Sequence, residues 1–274
     1  MLFDLQALLK VRKHKETIVG RFMLIKYYSM LIIISLVSAI VMLLIPAIPQ
    51  DQNYHVFVDQ REMFGIPNFL NVISNVPYFL FGIMGCLLIV KKKTIAIIKP
   101  LKYIYLMFFV GVVFVCMGSL YYHLYPDNST LLWDRLAISL SFMSFFTVII
   151  GEYVHEKIAS RLFMPLIMLG LGSVVYWYWS ETVGQGDLRL YILIQFLPVI
   201  LIPIIMWLYT SRFTHNYYFG LIVVCYVLAK CFEMTDQFIF DLTGFVSGHT
   251  LKHLISALAP YLFYLGLNRR RIYK

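Results

Sequence analysis

Eight apolar stretches constrain this chain more than any other feature of it: 28–48, 71–90, 101–123, 132–151, 163–180, 189–208, 217–236 and 249–267. Each is close to the ~20 residues that a helix needs to cross the hydrocarbon of a bilayer. Lipid offers no water to backbone amides, so stretches of this kind satisfy their own hydrogen bonds as helices. Composition agrees, because 61% of the 274 residues are hydrophobic and 14% are charged, more apolar surface than a soluble domain of this size can hide. The sequence predicts an all-α integral membrane protein with about eight spans.

A formal net charge of +9 in a soluble protein would suggest nucleic acid, but here the cations gather between the apolar runs. That distribution reports topology, and no nucleic-acid partner is expected. Lys10, Arg12, Lys13, Lys15, Arg21 and Lys26 precede the first run against Asp4 and Glu16, which places the N-terminus in the cytoplasm. No small-residue cleavage site follows Pro46 and Pro49, so the first run is expected to stay in the membrane. Eight crossings then gather Lys91, Lys92, Lys93, Lys99 and Lys102, the segments 152–161 and 212–215, and Arg269, Arg270, Arg271 and Lys274 on the cytoplasmic side. Asp51, Asp59, Glu62, Asp127, Glu181, Asp187 and Asp241 fall opposite. Cys86, Cys116, Cys225 and Cys231 lie in apolar stretches and read as small buried side chains.

Ionisable groups within the membrane are costly and raise a functional hypothesis by default. Ser119 and His123 stand four residues apart at the end of the third run, Asp134 opens the fourth, and His249 and His253 open the eighth. In the eight-span topology all five share one depth, at the non-cytoplasmic ends of their helices. Two histidines one turn apart plus a third from a neighbouring helix supply three imidazole nitrogens to zinc and leave its fourth position open for chemistry. A lone histidine at a helix end is more commonly an interfacial or hydrogen-bonded side chain, and His14, His55, His155 and His215 read that way. Lys230, Glu233 and Asp236 share one side of the seventh helix, where a Lys230–Glu233 ion pair is the first reading and support of a metal-bound histidine the second. Residues 185–189 read as a capped turn.

Ser119-xxx-His123, Asp134 eleven residues later, and His249-xxx-His253 on the last helix resemble the alkaline ceramidase family, part of a superfamily of seven-helix membrane hydrolases that includes the adiponectin and progestin receptors. The segment 68–75 is similar to that family's entry into its first core helix. The resemblance covers roughly 51–268, which divides the chain into a basic N-terminus with an extra transmembrane helix (1–50), a seven-helix domain (51–268) and a basic cytoplasmic tail (269–274). It implies zinc on His123, His249 and His253, with Ser119 and Asp134 beside the water that the metal activates, and a ceramide-like membrane lipid as substrate. Animal members carry an N-terminal Trp-Cys-Glu motif that builds a calcium site. This chain has Asp59-Gln60-Arg61-Glu62, with Asn68 where a glutamate is expected, so no calcium site is predicted, and Asp51, Asp59 and Glu62 read as solvated loop charges. Other readings of the same residues are a lipid receptor or sensor with a structural metal, a hydrolase of another acyl amide or ester, and a transporter that uses Lys230, Glu233 and Asp236 as an ion relay.

Overall fold

The computed structural model describes residues 26–92 and 94–273, and the basic N-terminal stretch lies outside them. The chain divides into two units, Met1–Pro46 and Ala47–Lys274. The first contains one described helix, α1 (Lys26–Leu44).

The second unit is built of α2 (Phe69–Ile73), α3 (Val76–Lys91), α4 (Lys102–Leu124), α5 (Asn128–Ile149), α6 (Glu156–Thr182), α7 (Arg189–Leu208), α8 (Tyr217–Met234), α9 (Asp236–Thr243) and α10 (Gly248–Arg269). No strand occurs among the described residues. Among the described residues, seven helical segments are long and apolar enough to cross a membrane: α1, α2 with α3, and α4 to α8, some with adjoining turns. The eighth long helix, α10, has 22 residues but is not one of them. Its first turns carry His249, Thr250, Lys252 and His253, which lower its hydropathy where the site lies.

The helices pack as a ring, α3 on α4, α4 on α5, α5 on α6, then α7, α8 and α10, with α10 returning to α3. The boundaries follow the apolar runs except in three places. The second run is broken at Ser74 and Asn75 into α2 and α3. The expected loop at 152–161 is instead helix, because α5 continues as a π-helical turn (Ile150–Val154) and α6 starts at Glu156. The short α9 has no counterpart among the runs.

That π turn carries Glu152 into the interior, where its carboxylate meets Arg270 at 2.7 Å with both side chains almost fully buried. Tyr105 donates to Glu152 at 2.7 Å, Arg270 Nε donates to the Ala96 carbonyl at 2.7 Å, and the guanidinium stacks 4.2 Å from the Phe213 ring. Arg270 is therefore part of the packed interior and not a solvated tail cation. The 18 residues from Asp134 to Glu152 correspond to ~27 Å of helix, so the two polar clusters of the bundle sit at its opposite ends.

Candidate metal centre

His123 closes α4, and His249 and His253 open α10. Their ligand atoms all lie within 4.8 Å of one another, and the three residues are buried. Nε2 of His123 stands 3.2 Å from Nε2 of His253. The ring of Phe57 packs across two of the imidazoles, with centroids 4.6 Å from His123 and 5.2 Å from His249.

Two glycines make this convergence possible. A Cβ on Gly118 would lie 2.7 Å from the Trp133 carbonyl oxygen and 2.9 Å from the Asp134 Cα, so α4 and α5 touch backbone to backbone next to Ser119. A Cβ on Gly248 would overlap the Phe232 carbonyl oxygen and lie 2.8 Å from the Asp236 Cα, so the start of α10 is pressed against the α8–α9 junction. Helix starts then fix the side chains. Asp127 and Thr130 form a capping box at α5, and Ser247 caps α10 by accepting from the Thr250 amide at 3.1 Å. Asp236 accepts the His249 amide at 2.7 Å, which satisfies another first-turn donor. Burial pushes the Asp236 carboxyl up from its ordinary range, and that amide opposes the shift.

The segment 68–75 holds the histidines in place. Ser74 donates its one proton to the Asn71 carbonyl at 3.1 Å, and its oxygen lies 2.9 Å from Nδ1 of His253. A hydroxyl in that place can accept Nδ1–H, the tautomer that leaves Nε2 as the basic nitrogen facing His123. Asn68 donates to the His123 carbonyl at 2.9 Å, and Asn71 accepts from Thr250 at 2.9 Å, so α2 ties the end of α4 to the start of α10. The sequence pointed to this segment without giving it a role.

Buried atoms in this centre without a hydrogen-bond partner include Nε2 of His249, Nδ1 of His123 and Oδ1 of Asp134. An orphaned buried acceptor costs about 1–3 kcal/mol. A cation shared by the three histidines would satisfy the one on His249, so the cluster can hold a metal ion. Ser119 is buried beside Asp134, close enough for its hydroxyl to act on the carboxylate.

The expected ion pair is present, with Lys230 Nζ 2.5 Å from Glu233, but Glu233 also meets Lys252 at 2.8 Å and receives the Tyr54 hydroxyl at 3.3 Å. Lys252 was missed. It lies between His249 and His253 on a buried helix, where an ionisable side chain is itself the signal. Asp236 meets His249 at the backbone, which supports α10 and not the imidazole. His55 bonds Tyr122 at 3.1 Å and Asn128 at 2.9 Å, His155 accepts the Lys157 amide, and His215 stands in an exposed turn at φ 61°; His14 lies outside the described residues. Asp187 caps the turn before α7 by accepting from the Arg189 amide and side chain, which holds its carboxyl down at about 2. Asp59 is not solvated: it is buried against Arg61 at 2.8 Å, and that hydrogen bonding keeps its carboxyl low. Asp51 caps the turn Gln52–His55, and Glu62 is exposed.

A cavity of about 350 Å³ opens from this centre. On α4 its wall runs from Ser119 through Val115 and Val112 to Phe108, and on α5 from Asp134 and Arg135 through Ile138 to Phe145. On α8 it runs from Glu233 and Lys230 through Tyr226 to Ile222, and on α10 from Lys252 and His253 to Pro260. Four helices thus carry the same gradient, polar at the histidines and apolar away from them. A ligand with a polar end and a hydrocarbon tail matches that wall. Neither the protein-family models nor the curated proteins compared with this sequence match it.

Proposed function

We propose that this chain is a multi-pass membrane hydrolase that holds zinc on His123, His249 and His253 and cleaves the amide bond of ceramide-like lipids, giving a fatty acid and a sphingoid base. The observation that carries the reading is a buried cluster of three imidazoles, one of which, His253, lines the polar end of a polar-to-apolar cavity together with Asp134 and Ser119. His123 and His253 present Nε2 atoms 3.2 Å apart, and the ligand atoms of all three histidines lie within 4.8 Å of one another, so these residues would hold one shared ion. When bound, zinc supplies a Lewis acid for the amide carbonyl and makes hydroxide accessible near neutral pH.

The chain's own residues divide the remaining work. Asp134 accepts a proton from water and returns it to the leaving amine, so hydroxide adds to the acyl carbon while the C–N bond breaks to a neutral amine. Ser119, beside it, donates a hydrogen bond within the same group. Ser74 keeps the His253 tautomer that offers Nε2. The apolar walls of α4, α5, α7 and α8 take the acyl chain and hold the amide at the polar end.

Incubation of the purified protein with an N-acyl sphingosine, a simple fatty amide and an acyl ester, each with and without a chelator, tests the proposal. Fatty acid should appear from the amides, stop with chelator and return with Zn²⁺. A zinc-replete protein that turns over none of them would be a lipid sensor, and faster ester cleavage would make it a different lipid hydrolase.

The same reading gives eight crossings, both termini in the cytoplasm and the centre towards the opposite face. It is supported by the alternation of basic segments and by the shared end of the bundle at which α4 stops and α5 and α10 start. With the four native cysteines replaced, single cysteines at Ser129 and Thr243 are expected to react with an impermeant thiol reagent on intact cells and one at Lys92 to stay unlabelled. The reverse pattern would move the centre to the cytoplasmic leaflet.

A further inference from the structure

Arg135 follows Asp134 on α5, is 7% exposed and lines the same cavity. Among the described residues no carboxylate lies within ion-pair distance of it. Its guanidinium is clamped over the rings of Trp177 at 4.1 Å and Tyr191 at 4.9 Å, and Nη2 donates to the neutral side chain of Gln50 at 2.7 Å. Gln50 is itself fixed, because its backbone N–H donates to Glu181 at 2.7 Å. The other terminal nitrogen, Nη1, is buried and has no partner.

A buried, unpaired guanidinium is expensive, and chains keep one where something else supplies the counter-charge. The ionised groups on the cavity wall are Lys230, Lys252 and Arg135 against Asp134 and Glu233, three cations to two carboxylates. Both lysines are held by Glu233. Arg135 is therefore the cation on this wall with no directly bonded carboxylate, and a monoanionic group would supply one. A guanidinium presents parallel N–H groups that suit a carboxylate, and the rest of the cavity is apolar enough for a hydrocarbon tail.

We propose that Arg135, held by Trp177, Tyr191 and Gln50, is a binding site for the carboxylate of a long-chain fatty acid whose tail fills the cavity. That the acid is a reaction product rests on the amidase reading; that an acyl carboxylate binds here does not. Arg135 then draws the released acid away from Asp134, where a second negative charge is unfavourable.

The test is equilibrium binding of dodecanoate, dodecanol and dodecyl phosphate to the full-length purified protein in detergent, by titration calorimetry, and it needs no turnover. The wild type is expected to bind dodecanoate ~10- to 100-fold more tightly than dodecanol, the range of one charge-assisted bidentate contact. Arg135→Gln should remove most of that preference by weakening the acid alone. Gln50→Glu keeps the arginine and gives it an internal carboxylate, so it should weaken the acid in the same selective way even if Arg135→Gln does not fold. Equal loss of acid and alcohol, or an unchanged preference in the folded variants, overturns the proposal. An Arg135-dependent site tighter for dodecyl phosphate than for dodecanoate also overturns it, in favour of a phosphorylated lipid.

Discussion

Asp134→Asn is expected to keep the fold and the metal centre while lowering amide hydrolysis by about 10²- to 10⁴-fold, the usual contribution of a general base. Asparagine has the same shape but cannot accept and return a proton. The substitution breaks no ion pair among the described residues, since one carboxylate oxygen is an orphan and the other interacts only with Ser119 and more distant charges. The stability cost should therefore be small, and the metal ligands are untouched. Turnover of an N-acyl sphingosine, measured beside metal content and thermal inactivation, separates the effects. A variant with normal metal and normal rate would remove Asp134 from the chemistry, and one that loses its metal would make Asp134 part of the centre's architecture.

The second large effect belongs to the other end of the bundle. Glu152→Leu should destabilise the protein by about 3–5 kcal/mol, because it leaves Arg270 buried without its counter-charge. Tyr105 loses its acceptor at the same time. Glu152→Leu/Arg270→Leu should recover most of the loss, since removing both charges also removes the penalty of burying them. Unfolding in mixed detergent micelles gives the comparison. A single-variant loss below ~1 kcal/mol would mean that water reaches this pair in the folded state. Metal content in the protein that remains folded should not change, with the centre ~27 Å away along α5.

Much of the architecture was legible because lipid leaves few choices. The length of each apolar run sets a helix, and the order of basic segments sets which ends meet, so Ser119, His123, Asp134, His249 and His253 could be assembled from topology alone. The structure brings the three histidines together and places Ser119 next to Asp134. What stayed hidden depends on packing rather than pattern. Glu152 and Arg270 looked like interhelical charges because nothing local distinguishes a solvated cation from one that a π turn draws inside. Gly118 and Gly248 carry no signal until the atoms facing them are known. Ser74 acts on His253 across 179 positions of sequence, a contact that only the break between α2 and α3 creates. Asp59 was read as solvated because its partner, Arg61, lies two residues on in a segment with no periodicity. Arg135 stood in plain view beside Asp134, and its meaning came from what surrounds it: two rings, one amide and no carboxylate.

The central claim is that His123, His249 and His253 hold one zinc ion, and elemental analysis of the purified chain tests it most directly. The protein, prepared without added metal, should contain about one zinc per chain. His253→Ala should lose nearly all of it, and His55→Ala, which removes a histidine bonded to Tyr122 and Asn128, should keep it. A folded protein free of transition metal, or a His253→Ala variant with undiminished zinc, would contradict the account.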